Sequence, residues 1–88
     1  MILTLDGLQM SSRAATHDHL KAQLRLPDYY GRNLDALYDL LTGYPADTEI
    51  LLINQAAMLE ALGSYGETLV ETLQQVADEN RNLTFTAQ

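Results

Sequence analysis

Ile50-Leu51-Leu52-Ile53 is an unbroken aliphatic run closed by Asn54. A strand with one wet face alternates apolar and polar residues, whereas one that is apolar on both faces belongs in the middle of a parallel sheet. Working outward, Ile2-Leu3-Thr4-Leu5, stopped by Asp6-Gly7, and Leu83-Thr84-Phe85 read as two further strands. Between these runs the apolar period lengthens to that of helices. The order strand, helix, strand, helix, strand predicts an α/β fold, a parallel sheet covered by helices.

Helix ends are marked along the chain. Ser12 reads as the N-cap of a first helix to about Arg25, with Leu20 and Leu24 on its buried face and Leu26-Pro27 ending it. Asn33 as N-cap and Gly43 as left-handed terminus frame a second helix, Leu34 to Thr42. Asn54 is expected to cap a third, Gln55 to Leu62. Gly63-Ser64 then separates it from a fourth, about Tyr65 to Glu79, which buries Leu69, Val70, Leu73, Val76 and Ala77 on one side. Met10 and Met58 read as core.

The 88 residues leave room for one small domain, 1–88, and hardly for a deep, water-excluding cleft as well. Lys+Arg 5 against Asp+Glu 12 gives a net charge of −7. That balance argues against nucleic acid as a ligand and for a basic protein partner, because phosphate binding needs clustered Lys and Arg. The absence of Cys excludes a disulfide framework, a thiolate zinc site and a thiol nucleophile. With no basic leader before Ile2 and no apolar run long enough for a bilayer, the expectation is a soluble, cytoplasmic protein without cofactor or metal.

The densest information lies between Tyr29 and Tyr44, which hold four of the five Tyr. At about 100° per residue, Leu34, Leu37 and Leu41 form one stripe of the second helix and Asp35, Tyr38, Asp39 and Thr42 another, turned away from the first. The Leu stripe is core; the other faces outward. A solvated face is the plain account of an outward acid pair. Three local costs count against it here. Asp35 and Asp39 are like charges at i, i+4, Asp39 lies in the last turn beside carbonyl ends that repel an anion, and position 43 is Gly, so no cation follows one turn later. An external cationic partner resolves the conflict. Tyr29, Tyr38 and Tyr44 suit a contact surface of this kind, while core packing is the competing fate of the rings and fits Tyr30 best.

The run Leu26-Pro27-Asp28-Tyr29-Tyr30-Gly31-Arg32-Asn33-Leu34-Asp35-Ala36-Leu37-Tyr38-Asp39, continuing through Leu41-Thr42-Gly43-Tyr44, closely resembles the central motif of the barstar family, intracellular inhibitors of the secreted bacterial ribonuclease barnase. The resemblance implies a three-stranded parallel sheet packed with about four helices. It also implies that the second helix and its preceding loop occlude a ribonuclease active site. On that pattern Asp39 mimics a substrate phosphate before the enzyme's Arg and His residues and Asp35 is a second acidic contact. Tyr29, Gly31, Asn33, Tyr38, Thr42, Gly43 and Tyr44 complete the partner-binding set. The implied partner is a basic extracellular ribonuclease bound one to one, the free protein being a monomer.

The chain departs from the family pattern at several points. Tyr38 and Tyr44 stand where the family has Trp. Arg32 replaces an acidic residue, offering Asp28 or Asp35 an internal partner. Gln74-Gln75-Val76 occupies the stretch that carries an acidic contact in the last helix; Glu71 and Asp78 flank it on an outward face shared with Glu67, for which solvation is the plain account.

Catalysis by the Asp pair would need a cleft and separated pKa values, which a short exposed helix does not offer, so the chain reads as no enzyme. His17 and His19 point about 200° apart on a helix and cannot share a metal ion. A non-inhibitory adaptor or immunity module that binds a different basic protein through the same patch is the other reading these residues allow.

Overall fold

The computed structural model describes residues 1–44 and 47–88. Its elements are β1 (Ile2–Asp6), a 3₁₀ turn (Gly7–Gln9), α1 (Arg13–Leu24), α2 (Leu34–Thr42), β2 (Thr48–Ile53), α3 (Gln55–Leu62), α4 (Ser64–Glu79) and β3 (Leu83–Ala87). The sheet has the order β1-β2-β3 and both pairings are parallel, with Leu3 opposite Ile50, Leu5 opposite Leu52 and Thr48 opposite Leu83. The aliphatic run is thus the central strand.

One face of the sheet carries Leu3, Leu5, Ile50, Leu52 and Leu83, all buried, with Phe85 and Ala87 packed against them. There α1 packs on β1 and α4 on β3, while α2 and α3 pack against α4. The core is completed by Met10, Leu20, Leu24, Leu37, Leu41, Met58, Leu69, Leu73 and Val76. Val70 and Ala77 are half-buried. The opposite sheet face is less covered than a two-sided sandwich requires: Leu51 and Ile53 are half-buried, and Ile2, Thr4, Thr84 and Thr86 are exposed.

Two helix-end expectations are corrected. Gly43 is not left-handed, with φ −99° and ψ 9°. The end of α2 is tied down instead by Asn80, just past α4, whose Nδ2 donates to the carbonyl of Leu41 in the last turn at 2.9 Å and to that of Tyr44, beyond the helix, at 3.2 Å. Asn54 places no side-chain cap on α3. It adopts φ 55° because a single residue must turn the chain from β2 into α3, and Asn tolerates that region. Its Nδ2 donates to Asp6 Oδ1 at 2.9 Å, tying together the ends of β1 and β2. The same junction explains Gly7, where a Cβ would lie 2.1 Å from the Asn54 carbonyl oxygen. Ser12 and Asn33 cap as expected, accepting from the N–H groups of Ala15 at 3.1 Å and Ala36 at 2.8 Å.

Candidate partner-binding site

On α2, Leu37 and Leu41 are fully buried, while Asp35 and Asp39 on the opposite stripe are exposed. Neither Asp carboxylate has a hydrogen bond or ion pair among the described residues. Thr42 turns its hydroxyl back to the Asp39 carbonyl at 3.0 Å, as a helical Thr does when nothing else engages it.

The nearby cations are spent elsewhere. Lys21 Nζ pairs with Asp28 at 3.2 Å, and Arg32 donates to Asp18 Oδ1 at 2.6 Å and to the Ala14 carbonyl at 3.2 Å. The expected pairing of Arg32 with Asp28 or Asp35 is therefore replaced by one to α1. Arg32 holds this pairing from a left-handed backbone at φ 56°, an uncommon state for a residue with a Cβ. Surface pairs of this kind stabilise by about 0 to 1 kcal/mol, so they shape the charge layout more than the stability.

The tyrosines divide. Tyr29 is 81% exposed, an uncommon state for so large a ring and one expected of a contact residue. Tyr30 is core. Tyr38 is half-buried and donates its hydroxyl to Glu79 on α4. That carboxylate raises the Tyr38 phenol pKa, since a phenolate there would face an anion and lose a good acceptor. Tyr44 is half-buried too, its hydroxyl donating to the Leu24 carbonyl at 3.0 Å and so clamping the end of α1 to the end of α2. Gly31, Asn33 and Gly43 are exposed beside the two Asp.

A groove of about 420 Å³ between α2 and α4 is lined by Leu34, Asp35, Tyr38, Thr68, Thr72 and Gln75. Thr68, Thr72, Gln75 and Glu79 lie at i, i+4, i+7 and i+11, one stripe of α4. Glu71 and Asp78 belong to another, rotated by about 100°. Glu71 lines a depression with Gln55 and Leu59 of α3, and Asp78 accepts from Gln74 Nε2 at 3.2 Å. The acid that α4 brings beside α2 is thus Glu79. Period alone could not single it out, because both stripes are polar and only the packing of α2 distinguishes them.

Beneath the loop, His17 joins three elements. Its Nδ1 lies 2.6 Å from the Tyr30 hydroxyl and its Nε2 2.6 Å from that of Tyr65 on α4. Tyr30 is 5% exposed and its hydroxyl has no other partner, so its proton goes to Nδ1. Nε2–H then donates to Tyr65, which is half-buried. His19 is separate, its Nε2 accepting from the Asp6 N–H at 2.9 Å.

Burial first, then Arg32 and Arg13, hold the His17 pKa below the ordinary imidazole value; burial does the same for His19, and nearby Asp18 and Asp6 oppose the shifts. With folded values depressed, the unfolded chain takes up protons first as pH falls. The stabilisation is complete above about pH 6.5 and is lost as pH drops toward the lower folded values. Urea midpoints measured between pH 7.5 and 5.5 are expected to fall with pH; a flat profile would contradict this assignment.

The entire chain, residues 1–88, matches the family model described as Barstar (barnase inhibitor). The chain belongs to the barstar family. It is also 40% identical over 79 residues to a protein of Bacillus subtilis (strain 168) named "Putative ribonuclease inhibitor YrdF", covering 88% of this chain and 86% of that one. The parallel three-stranded sheet with four helices agrees with the barstar-like fold expected from the motif. Among the described residues no helix is long and apolar enough to cross a membrane. Within this barstar-family chain Asp35 and Tyr38 line one groove and Tyr29 and Asp39 are exposed, whereas Tyr30 and the hydroxyl of Tyr44 serve the fold.

Proposed function

We propose that this chain inhibits a ribonuclease by laying α2 and the loop before it over the enzyme's active site. The observation that carries the reading is the free pair Asp35 and Asp39, exposed and unpaired while Lys21 and Arg32 are tied to other acids. A surface of this kind is complementary to a site built to hold phosphate, where Arg, Lys and His converge. Family membership and the relative's name favour a ribonuclease over any other basic partner.

In this reading the target is a basic, barnase-like extracellular enzyme bound one to one. Asp39 occupies its phosphate position, Asp35 takes a second cation, and Tyr29, Gly31, Asn33, Tyr38, Thr42, Gly43 and Tyr44 fill the surrounding contact. Glu79 adds a third carboxylate at the edge, one that Glu71 and Asp78 do not supply. Cleavage of RNA by a guanyl-preferring ribonuclease, titrated with this protein, tests it. Activity is expected to vanish near an equimolar ratio, with association slowing as salt rises. Full activity at excess inhibitor across a panel of such enzymes would refute the proposal.

A further inference from the structure

Two of the protein's five basic residues, Arg13 and Arg32, line one recess of about 450 Å³. Its walls include Asn33, Asp35, Tyr65 and Thr68, so it shares Asp35 and Thr68 with the α2–α4 groove and opens beside the acidic surface. Arg13 is the first residue of α1, where the helix dipole disfavours a cation. Its guanidinium carbon stands 4.1 Å from the centre of the Tyr65 ring, and its N–H groups meet no acceptor among the described residues. In a chain with Asp+Glu 12, that is a cation resting on an aromatic ring with no anion beside it among the described residues.

Arg32 reaches the same recess from a left-handed backbone at φ 56°. Such a conformation is strained for a residue with a Cβ. Its partner Asp18 is exposed, so an incoming carboxylate exchanges for a weak surface pair. Asp35 on the wall disfavours a bare phosphate chain and favours an acid that stands next to a cation.

We infer that this recess receives a carboxylate of the ribonuclease, one adjacent to the cations that Asp35 and Asp39 engage, which makes the recognition surface bipolar. The inference rests on the inhibitory function proposed above, and selects among basic ribonucleases those with an acid at that place.

The test measures inhibition constants of Arg13→Gln, Arg32→Gln, Arg13→Glu and Arg32→Glu against a ribonuclease that the wild-type protein inhibits, with Arg25→Glu and Arg81→Glu as controls. Arg25 and Arg81 are exposed and line neither recess nor groove. Added negative charge on an acidic inhibitor speeds encounter with a basic enzyme, so the controls are expected to bind as well as wild type or better. The Gln variants are expected to weaken inhibition about fivefold and the Glu variants about thirtyfold, a sign opposite to that global effect. Urea midpoints taken alongside identify a variant that merely unfolds; Arg13→Gln, which breaks no ion pair, then decides alone. Tighter or unchanged inhibition by the Arg13 and Arg32 variants, while Asp39→Ala still inhibits more weakly than wild type, overturns this inference and spares the inhibitory reading. Wild-type protein that inhibits no enzyme of the panel overturns both. Binding of a short RNA oligonucleotide by the free protein, lost in the Arg13 and Arg32 variants, overturns it in favour of phosphate.

Discussion

Asp39→Ala is expected to weaken ribonuclease binding by about 2 kcal/mol or more, roughly thirtyfold in Kd, while leaving the folded protein as stable as before or slightly more so. The binding figure is the general hot-spot threshold, for which barnase and barstar are the familiar reference pair, and it is carried over from such interfaces. The stability figure follows from the helix itself. Asp39 stands in the last turn of α2 with no basic residue there, four residues after Asp35, and its carboxylate meets no partner among the described residues. Removing it relieves a like-charge contact and an unfavourable dipole term of a few tenths of a kcal/mol each. Few substitutions separate the two quantities so cleanly, since most interface residues also pack. Asp35→Ala is the useful contrast: it relieves the same like-charge contact, but Asp35 lies in the first turn, where the dipole favours an anion. The two effects offset, so this variant should be less stable than Asp39→Ala while binding falls as well. Calorimetric titration and urea unfolding of both variants give the comparison. Unchanged affinity for Asp39→Ala would remove Asp39 from the interface.

What was legible in the sequence depended on how local the cause is. The strands, four helices, the Ser12 and Asn33 caps and the buried Leu37 and Leu41 follow from period and from neighbours within a few residues, and they stand where expected. So does the outward pair Asp35 and Asp39, because one face of a short helix settles it. The errors all involve partners far along the chain. Asn80 closes α2 from 39 residues away, Asn54 holds Asp6 across 48, and Glu79 meets Tyr38 across 41. Gly43 has the residue type of a left-handed cap, yet it sits at φ −99°, and a distant amide holds the chain on either side of it through the carbonyls of Leu41 and Tyr44. Arg32 shows the same limit, since the acid it finds, Asp18, lies on α1 and 14 residues back along the chain.

His17→Phe is expected to destabilise the protein by about 2 kcal/mol, within the range of about 1 to 3 for orphaning a buried polar group. For a domain of this size that lowers Tm by about 8 to 16 °C. The ring volume is nearly kept, so no large cavity forms, and the loss lies in the hydrogen bonds. Tyr30, almost fully buried, would keep a hydroxyl proton with nowhere to go, because Nδ1 at 2.6 Å is its only partner among the described residues. Tyr65, half-buried, can turn its hydroxyl to water and loses less. This asymmetry makes the double variant His17→Phe, Tyr30→Phe informative: replacing both partners by apolar rings is nearly neutral in a packed core, so most of the lost stability should return. A double variant less stable than His17→Phe would mean that packing, and not an orphaned phenol, sets the cost. The consequence reaches the binding surface through three consecutive residues, since Tyr30 stands between exposed Tyr29 and Gly31. A loop no longer held from below must be ordered on binding, so His17→Phe should also raise the Kd for the ribonuclease, chiefly by an added entropic cost, and the double variant should recover less affinity than stability.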